Sequence, residues 1–345
     1  MLLEADARVL RRKKARTRSS LTLTITASIE RWPVAGAFII SRGSQTHVDV
    51  IVVKARDGVF AGWGEGTPIY YKGETAETCA AQISALPPDF DRQTLQHLLL
   101  PGAARNAVDC ALWDLEARKA GMPVWQLAGM AAPQPLATAM TVSLGLPDKM
   151  ETDARRLASK TSLIKVKLSG DDDSERVAAV RRGAPLARVI VDANEAWTGH
   201  DVARRAAALR PYGVELIEQP VKAGEEHLLD GIDSPIPLCA DESVHDRADL
   251  ERCRDRYQAI NIKLDKAGGL TEALALKTQA QAMGFKVMVG CMLGTSLGIA
   301  PAFLVAQGAD WVDLDGALLL ARDRDERLAP EGGVLIPPPA WKSSL

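Results

Sequence analysis

The sequence predicts an α/β protein in which an N-terminal α+β domain is followed by a (β/α)-barrel. The chain has 345 residues, which is too many for one small domain. Its first third reads as strands followed by helices. From about residue 136, short apolar runs recur about every 25 residues with helical segments between them. Eight evenly spaced units favour a closed barrel over an open, doubly wound sheet, which is the rival fold.

The first twenty residues are interpreted as a disordered basic leader. Residues 11–18 read RRKKARTR, and contact with nucleic acid or a membrane is the alternative interpretation of such a run. A secretory signal peptide is not expected. The LTLTITAS segment that follows alternates apolar and polar residues and does not form a continuous apolar stretch.

Residues 21–135 are predicted to form the α+β domain. The segments SLTLTITASIE and THVDVIVVKA are rich in β-branched and alternating residues, which indicates strands. ARDGVFAGWGEG is interpreted as turn residues between strands. Helical spacing follows in ETAETCAAQISAL and in GAARNAVDCALWDLEARKAG, and the second helix is expected to end at Gly121, before Pro123.

Residues 136–320 are predicted to form the barrel. Its eight candidate strands are TAMTVSL, LIKVKL, RVIVDAN, VELIEQP, IPLCADES, AINIKL, FKVMVGC and WVDLDG. The intervening segments, such as SERVAAVRRGA, have helical periodicity. No G-x-G-x-x-G motif follows a strand and the chain has no P-loop, which argues against a nucleotide-binding sheet.

Acidic residues follow three consecutive strands of the predicted barrel. Asp192 ends the third run, Glu218 the fourth and Asp241 the fifth. Neighbouring strands lie about 4.8 Å apart, so the three carboxylates can converge, and they repel one another unless a cation lies between them. Oxygen ligands without Cys or His suit Mg²⁺, with Mn²⁺ as the alternative. A helix N-cap or a surface ion pair would explain one such acid more readily than three.

Three lysines flank the predicted metal site. Lys165 and Lys167 share one face of the second strand, and Lys263 ends the sixth strand about half-way round the barrel. Ammonium groups on opposite sides of a metal-bound substrate form a two-base arrangement. Because the ordinary lysine pKa is about 10.4, we expect the metal and a second lysine to lower it, with Lys165 lowering that of Lys167. Lysines that reach solvent from strand ends are the alternative interpretation.

Composition narrows the class of protein. The formal net charge is −2, so no global basic field favours nucleic acid. The five cysteines form no C-x-x-C pair and their number is odd, which argues against a disulfide framework and favours a reducing, cytoplasmic compartment. No apolar run reaches the roughly 18 residues of a membrane helix.

Several motifs carry a resemblance to a known family: KVK, VDANEAW, LIEQP, CADES and NIKLDKAGGLTEA. They resemble the enolase superfamily, muconate-lactonising subgroup, and within it the dipeptide epimerases. GAARNAVDCALWDLEAR, GCMLGTS and DLDG are also similar, so the resemblance covers about residues 21–320. It implies a modified (β/α)₇β TIM-type barrel with an N-terminal α+β capping domain. The remaining residues, 321–345, are expected to pack back on the capping domain.

The resemblance implies a Mg²⁺-dependent isomerase that inverts the α-carbon of the C-terminal residue of a dipeptide by two-base 1,1-proton transfer. L-Ala-D/L-Glu is the expected substrate. The implied metal ligands are Asp192, Glu218 and Asp241, and the implied catalytic bases are Lys167 and Lys263. The implied substrate-binding residues are Thr141, Lys165, Cys291, Asp313, Asp315 and Gln45.

Two details bear on the substrate. Asp313 and Asp315 lie one residue apart, on one face of the eighth predicted strand, and together favour a cationic partner such as a free α-ammonium group. An ion pair at the bottom of the barrel is the alternative. The segment from Phe38 to Gly43 resembles the family's specificity segment, but Gln45 stands where the best-known members have an arginine that holds the glutamate side chain. Arg42 is the nearest arginine in sequence.

Several alternatives stay open. The same scaffold supports epimerases with a different or broader side-chain preference, N-acylamino-acid racemases, o-succinylbenzoate synthases and cycloisomerases. Asp313 and Asp315 disfavour the last three of these, the racemases, synthases and cycloisomerases. A barrel kept only as a binding scaffold would be expected to have lost a base or a ligand. Tyr70, Tyr71 and Lys72 are interpreted as part of a lid. The resemblance also implies a homo-oligomer and a role in recycling cell-wall (murein) peptides.

Overall fold

A computed structural model describes residues 23–40, 43–331 and 333–337. The basic leader and Arg42 lie outside these described residues. The N-terminal domain contains an antiparallel sheet of three strands in the order β1 (Thr24–Ile40), β2 (Gly43–Asp57) and β3 (Phe60–Gly66). The first two correspond to the predicted alternating segments. The hairpin between the last two turns at Gly58, which has a φ of 61°, a left-handed conformation that glycine adopts readily.

Helices cover one face of this sheet, as predicted. They are α1 (Ala76–Ser84), α2 (Arg92–Leu98), α3 (Ala103–Ala120) and α4 (Val124–Leu127). Gly121 ends α3 in a left-handed conformation, with a φ of 66°, and Thr75 caps α1 by accepting a hydrogen bond from the backbone N–H of Thr78. The end of α3 at Gly121 is the one that the sequence indicated, whereas the cap at Thr75 is seen only in the structure.

The segment ARDGVFAGWGEG was interpreted as turn residues between strands. The turn at Gly58 agrees with this interpretation, but the interpretation was wrong for GWGEG. GWGEG forms the last five residues of β3, and its alternate glycines face α3. A Cβ atom at Gly64 would lie 2.2 Å from the carbonyl oxygen of Ala107, and one at Gly62 would lie 2.2 Å from the backbone nitrogen of Leu115. These glycines therefore allow the helix to rest directly on the strand backbone.

The second domain is a barrel of eight parallel strands, which confirms the predicted fold. The strands are β4 (Met140–Val142), β5 (Leu163–Lys167), β6 (Arg188–Asp192), β7 (Val214–Glu218), β8 (Leu238–Ala240), β9 (Ala259–Ile262), β10 (Lys286–Gly290) and β11 (Trp311–Asp313). They pair in sequential order. The backbone N–H of Ala139 donates to the carbonyl of Val312 at 2.7 Å and so joins the first strand to the last.

Helices connect the strands on the outside of the barrel. They are α5 (Pro147–Leu157), α6 (Asp173–Gly183), α7 (Val202–Leu209), α8 (Leu250–Cys253), α9 (Leu264–Ala267), α10 (Leu270–Ala282) and α11 (Ser296–Val305). Short 3₁₀ helices lie at Tyr70–Lys72, Gly199–Asp201, Arg210–Tyr212, Glu226–Leu229, Arg247–Asp249 and Gly316–Leu319. In the described chain, no α-helix follows β11. A 3₁₀ helix comes next, followed by a two-stranded pair, β12 (Pro330–Glu331) with β13 (Val334–Leu335).

One buried layer closes the barrel beneath the carboxyl ends of its strands. Each strand, or the residue just before it, contributes one side chain: Ala139, Leu163, Ile190, Leu216, Cys239, Ala259, Met288 and Trp311. The layer makes the barrel a packed core and not a pore. Polar chemistry is therefore confined to the strand ends above it.

Charged and polar side chains join the two domains. The Arg324 guanidinium donates to Glu65 at 2.8 Å and to Glu30 at 2.9 Å in the capping domain, and to the hydroxyl of Thr295 at 2.6 Å. The backbone of Ala321 also donates to the carbonyl of Pro33 at 2.8 Å. The domain boundaries at residues 135 and 320 stay predictions. In the described part of the chain, no helix is long and apolar enough to cross a membrane.

Candidate active site

A cavity of about 410 Å³ lies between the capping domain and the carboxyl ends of the barrel strands. The sequence-predicted residues that line it are Gln45, Thr141, Lys165, Lys167, Asp241, Lys263, Cys291, Asp313 and Asp315. Asp192 and Glu218 lie below its surface and contact the lining lysines. The structure thus brings the predicted residues together at the end of the barrel where catalytic groups collect.

Three carboxylates form the floor of the site. Asp192 ends β6 and Glu218 ends β7, whereas Asp241 follows β8 by one residue. All three are buried, with exposed fractions of 0, 1 and 2%. Buried carboxylates are costly unless they are paired with cations, so their neighbours decide the chemistry of the site.

Three lysine ammonium groups pair with these carboxylates. Lys165 lies 2.6 Å from Glu218 and 3.2 Å from Asp192. Lys167 lies 2.6 Å from Asp192, and Lys263 lies 2.6 Å from Asp241. In the described residues, no three carboxylate, imidazole or thiolate groups are already arranged as metal ligands. The donor set nevertheless fits a hard divalent cation, because it consists of carboxylate oxygens without Cys or His.

In each carboxylate, the oxygen that does not contact Lys165, Lys167 or Lys263 interacts with a different donor. The backbone N–H of Asn194 donates to Asp192 Oδ1 at 2.9 Å, and the Asn261 amide donates to Glu218 Oε1 at 2.8 Å. The Lys266 ammonium lies 2.6 Å from Asp241 Oδ1. These three donors were missed in the sequence, although Asn261 and Lys266 lie within the NIKLDK motif and flank Lys263.

Gln219 organises the loops behind the site and was also missed. Its side-chain carbonyl accepts from the backbone N–H of Asp241 at 2.8 Å and of Ser243 at 3.1 Å, and its amide donates to the carbonyl of Val221 at 2.7 Å. The residue has a left-handed φ of 36°, a strained conformation typical of functional sites. Its position directly after Glu218 was the available signal.

The lysine pKa shifts differ from the prediction. Burial alone lowers the pKa of Lys263, but the carboxylates of Asp241 and Glu218 outweigh it and hold that pKa well above its ordinary value. The pKa of Lys165 is likewise raised, against burial, by Asp313, Glu218 and Asp192. The predicted lowering requires a cation that takes over these carboxylates and adds positive charge beside the ammonium groups.

Asp313 and Asp315 lie at the carboxyl end of β11 and line the cavity. The prediction that they share one strand face was wrong, because β11 ends at Asp313 and Asp315 directly precedes the 3₁₀ helix Gly316–Leu319. Asp313 accepts from Lys165 at 2.8 Å, and Asp315 accepts from the backbone N–H of Thr141 at 2.8 Å. Burial and the neighbouring Asp313 raise the pKa of Asp315 to about 7. Cys291 is half-buried and its thiol lies 3.4 Å from the Asp313 carbonyl.

The capping domain supplies the roof of the cavity. Phe38 and Gln45 are cross-strand partners in β1 and β2, and the Phe38 ring centre lies 5.8 Å from the Lys167 nitrogen. His47, which was not predicted as a site residue, also lines the cavity, as expected for a residue two positions from Gln45 on the same strand face. Of the three predicted lid residues, Tyr70 and Tyr71 line it as well, whereas Lys72 does not.

Comparison with known families matches both domains. The model of the mandelate racemase/muconate lactonizing enzyme N-terminal domain matches residues 22–129, and the enolase C-terminal domain-like model matches residues 149–340. The chain belongs to the enolase superfamily. The predicted family is therefore confirmed, and this superfamily member has the expected capping domain and barrel.

Individual relatives are epimerases and racemases. The chain is 43% identical to the L-Ala-D/L-Glu epimerase of Escherichia coli K12 over 88% of its own length and 97% of the relative. It is 44% identical to the N-acetyl-D-glutamate racemase of a Pseudoalteromonas species, with 84% and 93% covered. A solved enolase family member from Agrobacterium tumefaciens, with homology to dipeptide epimerases and bound sodium and L-Ala-L-Glu, is 50% identical, with a TM-score of 0.88 and 91% and 98% covered.

Proposed function

We propose that this protein is a dipeptide epimerase that inverts the α-carbon of the C-terminal residue. The observation that carries the proposal is the position of two lysines in one cavity. Lys167 ends β5 and Lys263 follows β9, with three strands between them, and both line the cavity. A base on one side of a bound substrate removes the α-proton, and an acid on the other side returns a different one. The relatedness to epimerases and racemases supports the same reaction class.

The site contains the charges that this reaction needs. Removal of a proton beside a carboxylate places negative charge on the carboxylate oxygens, and fixed positive charge stabilises it. In the proposed mechanism, the Lys165 ammonium orients the substrate carboxylate and stabilises this charge. Lys167, in its neutral form, accepts the proton on one face, and the ammonium of Lys263 donates on the other. For the opposite epimer the two lysines exchange roles.

The three floor carboxylates are proposed to hold Mg²⁺. Asp192, Glu218 and Asp241 offer hard oxygen ligands only, which suits Mg²⁺ and leaves Mn²⁺ as the alternative. The ion would supply Lewis-acid stabilisation of the developing carboxylate charge. It would also take over the carboxylates from Lys167 and Lys263, and so leave both lysines available to the substrate.

Deuterium exchange tests the reaction directly. The protein is incubated in D₂O with L-Ala-L-Glu or L-Ala-D-Glu and Mg²⁺. The two dipeptides are then separated, and their masses are measured by mass spectrometry. Each epimer should give the other with one deuterium at the glutamate α-carbon. Recovery of both dipeptides without deuterium and without inversion would reject the proposed function for this substrate, and a dipeptide library would then test other side chains.

The group that binds the substrate's amino terminus separates two candidate functions. A dipeptide has a free ammonium group, whereas the substrate of an N-acylamino-acid racemase, the second candidate, is neutral at that position. Asp313 and Asp315 line the cavity and are buried, with exposed fractions of 5 and 4%. Two buried carboxylates favour a cationic partner, and Lys165 contacts only one of them. We therefore favour the dipeptide.

Replacing Asp315 by Asn should raise KM for free dipeptides about tenfold to a hundredfold, because a charge-assisted contact of about 1.5–3 kcal/mol is lost. N-acetylglutamate should be affected much less. Because the pKa of Asp315 is raised to about 7, kcat/KM for dipeptides should rise in wild type as pH increases through this value, and the rise should be missing in the variant. Equal losses on both substrates would show that Asp315 does not contact the amino terminus.

The side-chain preference is proposed to be glutamate, with Gln45 as an open point. Gln45 lines the cavity beside Phe38. A neutral amide donates one hydrogen bond to a carboxylate but supplies neither the charge nor the paired donors of an arginine. Either Arg42 supplies the missing contact or the pocket accepts a broader set of side chains.

Replacing Gln45 by Arg should raise the ratio of kcat/KM for L-Ala-L-Glu over L-Ala-L-Leu about tenfold to a hundredfold, since the arginine adds a paired ionic contact. Gln93→Arg is the matched control, because Gln93 is exposed on α2 of the same domain and does not line the cavity. The ratio should not change in this control. An unchanged ratio in the Gln45 variant would remove this position from the specificity pocket.

Three further expectations stay proposals. The chain is expected to form a homo-oligomer and to work in the cytoplasm on dipeptides from cell-wall (murein) recycling. All five cysteines are free thiols, which supports a reducing compartment. Apart from further copies of this chain, no partner other than the small-molecule substrate is proposed.

A further inference from the structure

Lys266 is a buried ammonium at the site that does not contact the cavity. It lies in α9, three residues after Lys263, and has an exposed fraction of 0%. Its nitrogen lies 2.5 Å from the carbonyl oxygen of Asp241, 2.6 Å from Asp241 Oδ1 and 2.9 Å from the carbonyl oxygen of Asn261. An ammonium has three hydrogens to donate, and all three have acceptors. Lys266 is therefore placed neither to bind substrate nor to exchange a proton with it.

The two oxygens of Asp241 have different neighbours. Oδ1 lies against Lys266 behind the cavity, whereas Oδ2 lies 2.6 Å from the nitrogen of Lys263, which lines the cavity. The backbone on both sides of the carboxylate is also fixed, because the N–H of Asp241 donates to Gln219 and its carbonyl accepts from Lys266. Rotation of the carboxylate would break the contact between Oδ1 and a fully buried charge, which is costly.

Asp241 differs in this respect from the other two floor carboxylates. Asp192 Oδ1 and Glu218 Oε1 are held by neutral donors, the backbone N–H of Asn194 and the amide of Asn261. Only Asp241, among these three, has its rear oxygen held by a full positive charge. A neutral donor can be exchanged for a metal ion more readily than an ammonium, because the ammonium also repels the ion.

We infer that Lys266 is a positioning residue that gives the site a preference for Mg²⁺ over Ca²⁺ by restricting Asp241 to a single available oxygen. The inference rests on the metal-dependent function proposed above. Mg²⁺ takes six ligands in a near-ideal octahedron, whereas Ca²⁺ takes six to eight oxygens and readily accepts both oxygens of one carboxylate. A carboxylate that offers only Oδ2 suits the smaller ion and withholds a ligand from the larger one.

The test compares two ions on Lys266→Met, which keeps an unbranched side chain and removes the charge. The dissociation constants of Mg²⁺ and Ca²⁺ are measured by isothermal titration calorimetry on metal-free protein without substrate. Loss of the ammonium also removes its repulsion of the ion, but this effect acts on both divalent ions and largely cancels in the ratio of the two constants. We expect the ratio to shift about tenfold towards Ca²⁺. A change of this size is typical when a residue that contacts a metal ligand is replaced.

Lys277→Met is the matched control. Lys277 is a half-buried lysine of α10 whose ammonium donates to the backbone carbonyls of Val305, at 2.8 Å, and Gln307. It contacts no floor carboxylate, so its removal should leave the ratio unchanged. A ratio in Lys266→Met within twofold of wild type would overturn the inference, and so would an equal shift in the control.

Two further measurements keep the inference testable if Lys266→Met does not fold. Lys266→Gln keeps one amide donor and should shift the ratio in the same direction by a smaller factor. A crystal structure of the wild-type protein with Mg²⁺ should show Lys266 within hydrogen-bond distance of Asp241 Oδ1 and one oxygen of Asp241 on the ion. Asp241 bound to Mg²⁺ through both oxygens would overturn the inference.

The outcomes separate this inference from the proposed function. If the wild-type protein lacks epimerase activity but Lys266→Met shifts the ratio of the two dissociation constants, the function is rejected and the role of Lys266 is supported. An unchanged ratio in a protein with full epimerase activity would reject the role of Lys266 and leave the function intact.

Discussion

Replacing Lys167 or Lys263 by Ala should each abolish epimerisation, with a loss of at least about a thousandfold, the upper part of the range for general acid–base groups. Each variant should still exchange the α-proton of one epimer with D₂O, because the lysine on the other side is intact. The two variants should label opposite epimers. The measurement is mass-spectrometric deuterium uptake by L-Ala-L-Glu and L-Ala-D-Glu, followed separately.

Lys277→Ala serves as the control for loss of a half-buried lysine, since its ammonium contacts backbone carbonyls away from the site. It should epimerise at the wild-type rate. Both bases also neutralise a floor carboxylate, so the circular dichroism and the thermal transition of each variant are compared with wild type. Sustained epimerisation by either folded variant, or labelling of the same epimer by both, would contradict a mechanism with one base on each face.

Glu218→Gln should weaken Mg²⁺ binding by about a hundredfold or more and reduce turnover at least as much. The substitution removes one of three anionic ligands and keeps the size of the side chain. Replacing a residue that only hydrogen-bonds to a metal ligand already lowers metal affinity about tenfold to a hundredfold. Lys165 keeps its contacts with Asp192 and Asp313, so the lost carboxylate does not leave this ammonium unpaired. Calorimetric titration of Mg²⁺ and steady-state kinetics at several Mg²⁺ concentrations measure the two effects.

Glu226→Gln is the matched control for this change. Glu226 is a buried glutamate with an exposed fraction of 3%, and its carboxylate accepts from the backbone N–H of Gly224, outside the cavity. The Mg²⁺ affinity and the turnover of the Glu226→Gln variant should match those of wild type. In wild type, EDTA should remove activity and added Mg²⁺ should restore it. Full activity of metal-free wild type would exclude the proposed metal dependence.

The barrel was predictable from the sequence because its signal is periodic. Each strand is buried on both sides and so appears as a short apolar run, and the acid or base that follows marks its carboxyl end, as Asp192 and Glu218 do. The same logic found the lysines, because Lys165 and Lys167 had to share a face of one strand. These features depend on spacing along the chain, which a single sequence contains.

Features that depend on contacts between distant segments were not predictable. The glycines of β3 were interpreted as turns because their role, to admit α3 to the strand backbone, involves residues about 45 positions away. Lys266 was overlooked because only the folded chain shows that its nitrogen meets Asp241. The rise in the Lys263 pKa that Asp241 causes without a metal was not foreseen for a related reason, since this carboxylate lies 22 residues earlier in the chain.

The roof of the cavity has a consequence for how this enzyme can be altered. Phe38, Gln45 and His47, which line the cavity on its capping-domain side, come from one hairpin of the capping domain, whereas the carboxylates and lysines come from the barrel. The proposed contacts with the C-terminal side chain and the proposed proton-transfer groups are thus encoded in separate stretches of the gene. A contiguous cassette spanning residues 38–47 could be exchanged between relatives to transfer a side-chain preference, while the proton-transfer machinery below is inherited unchanged.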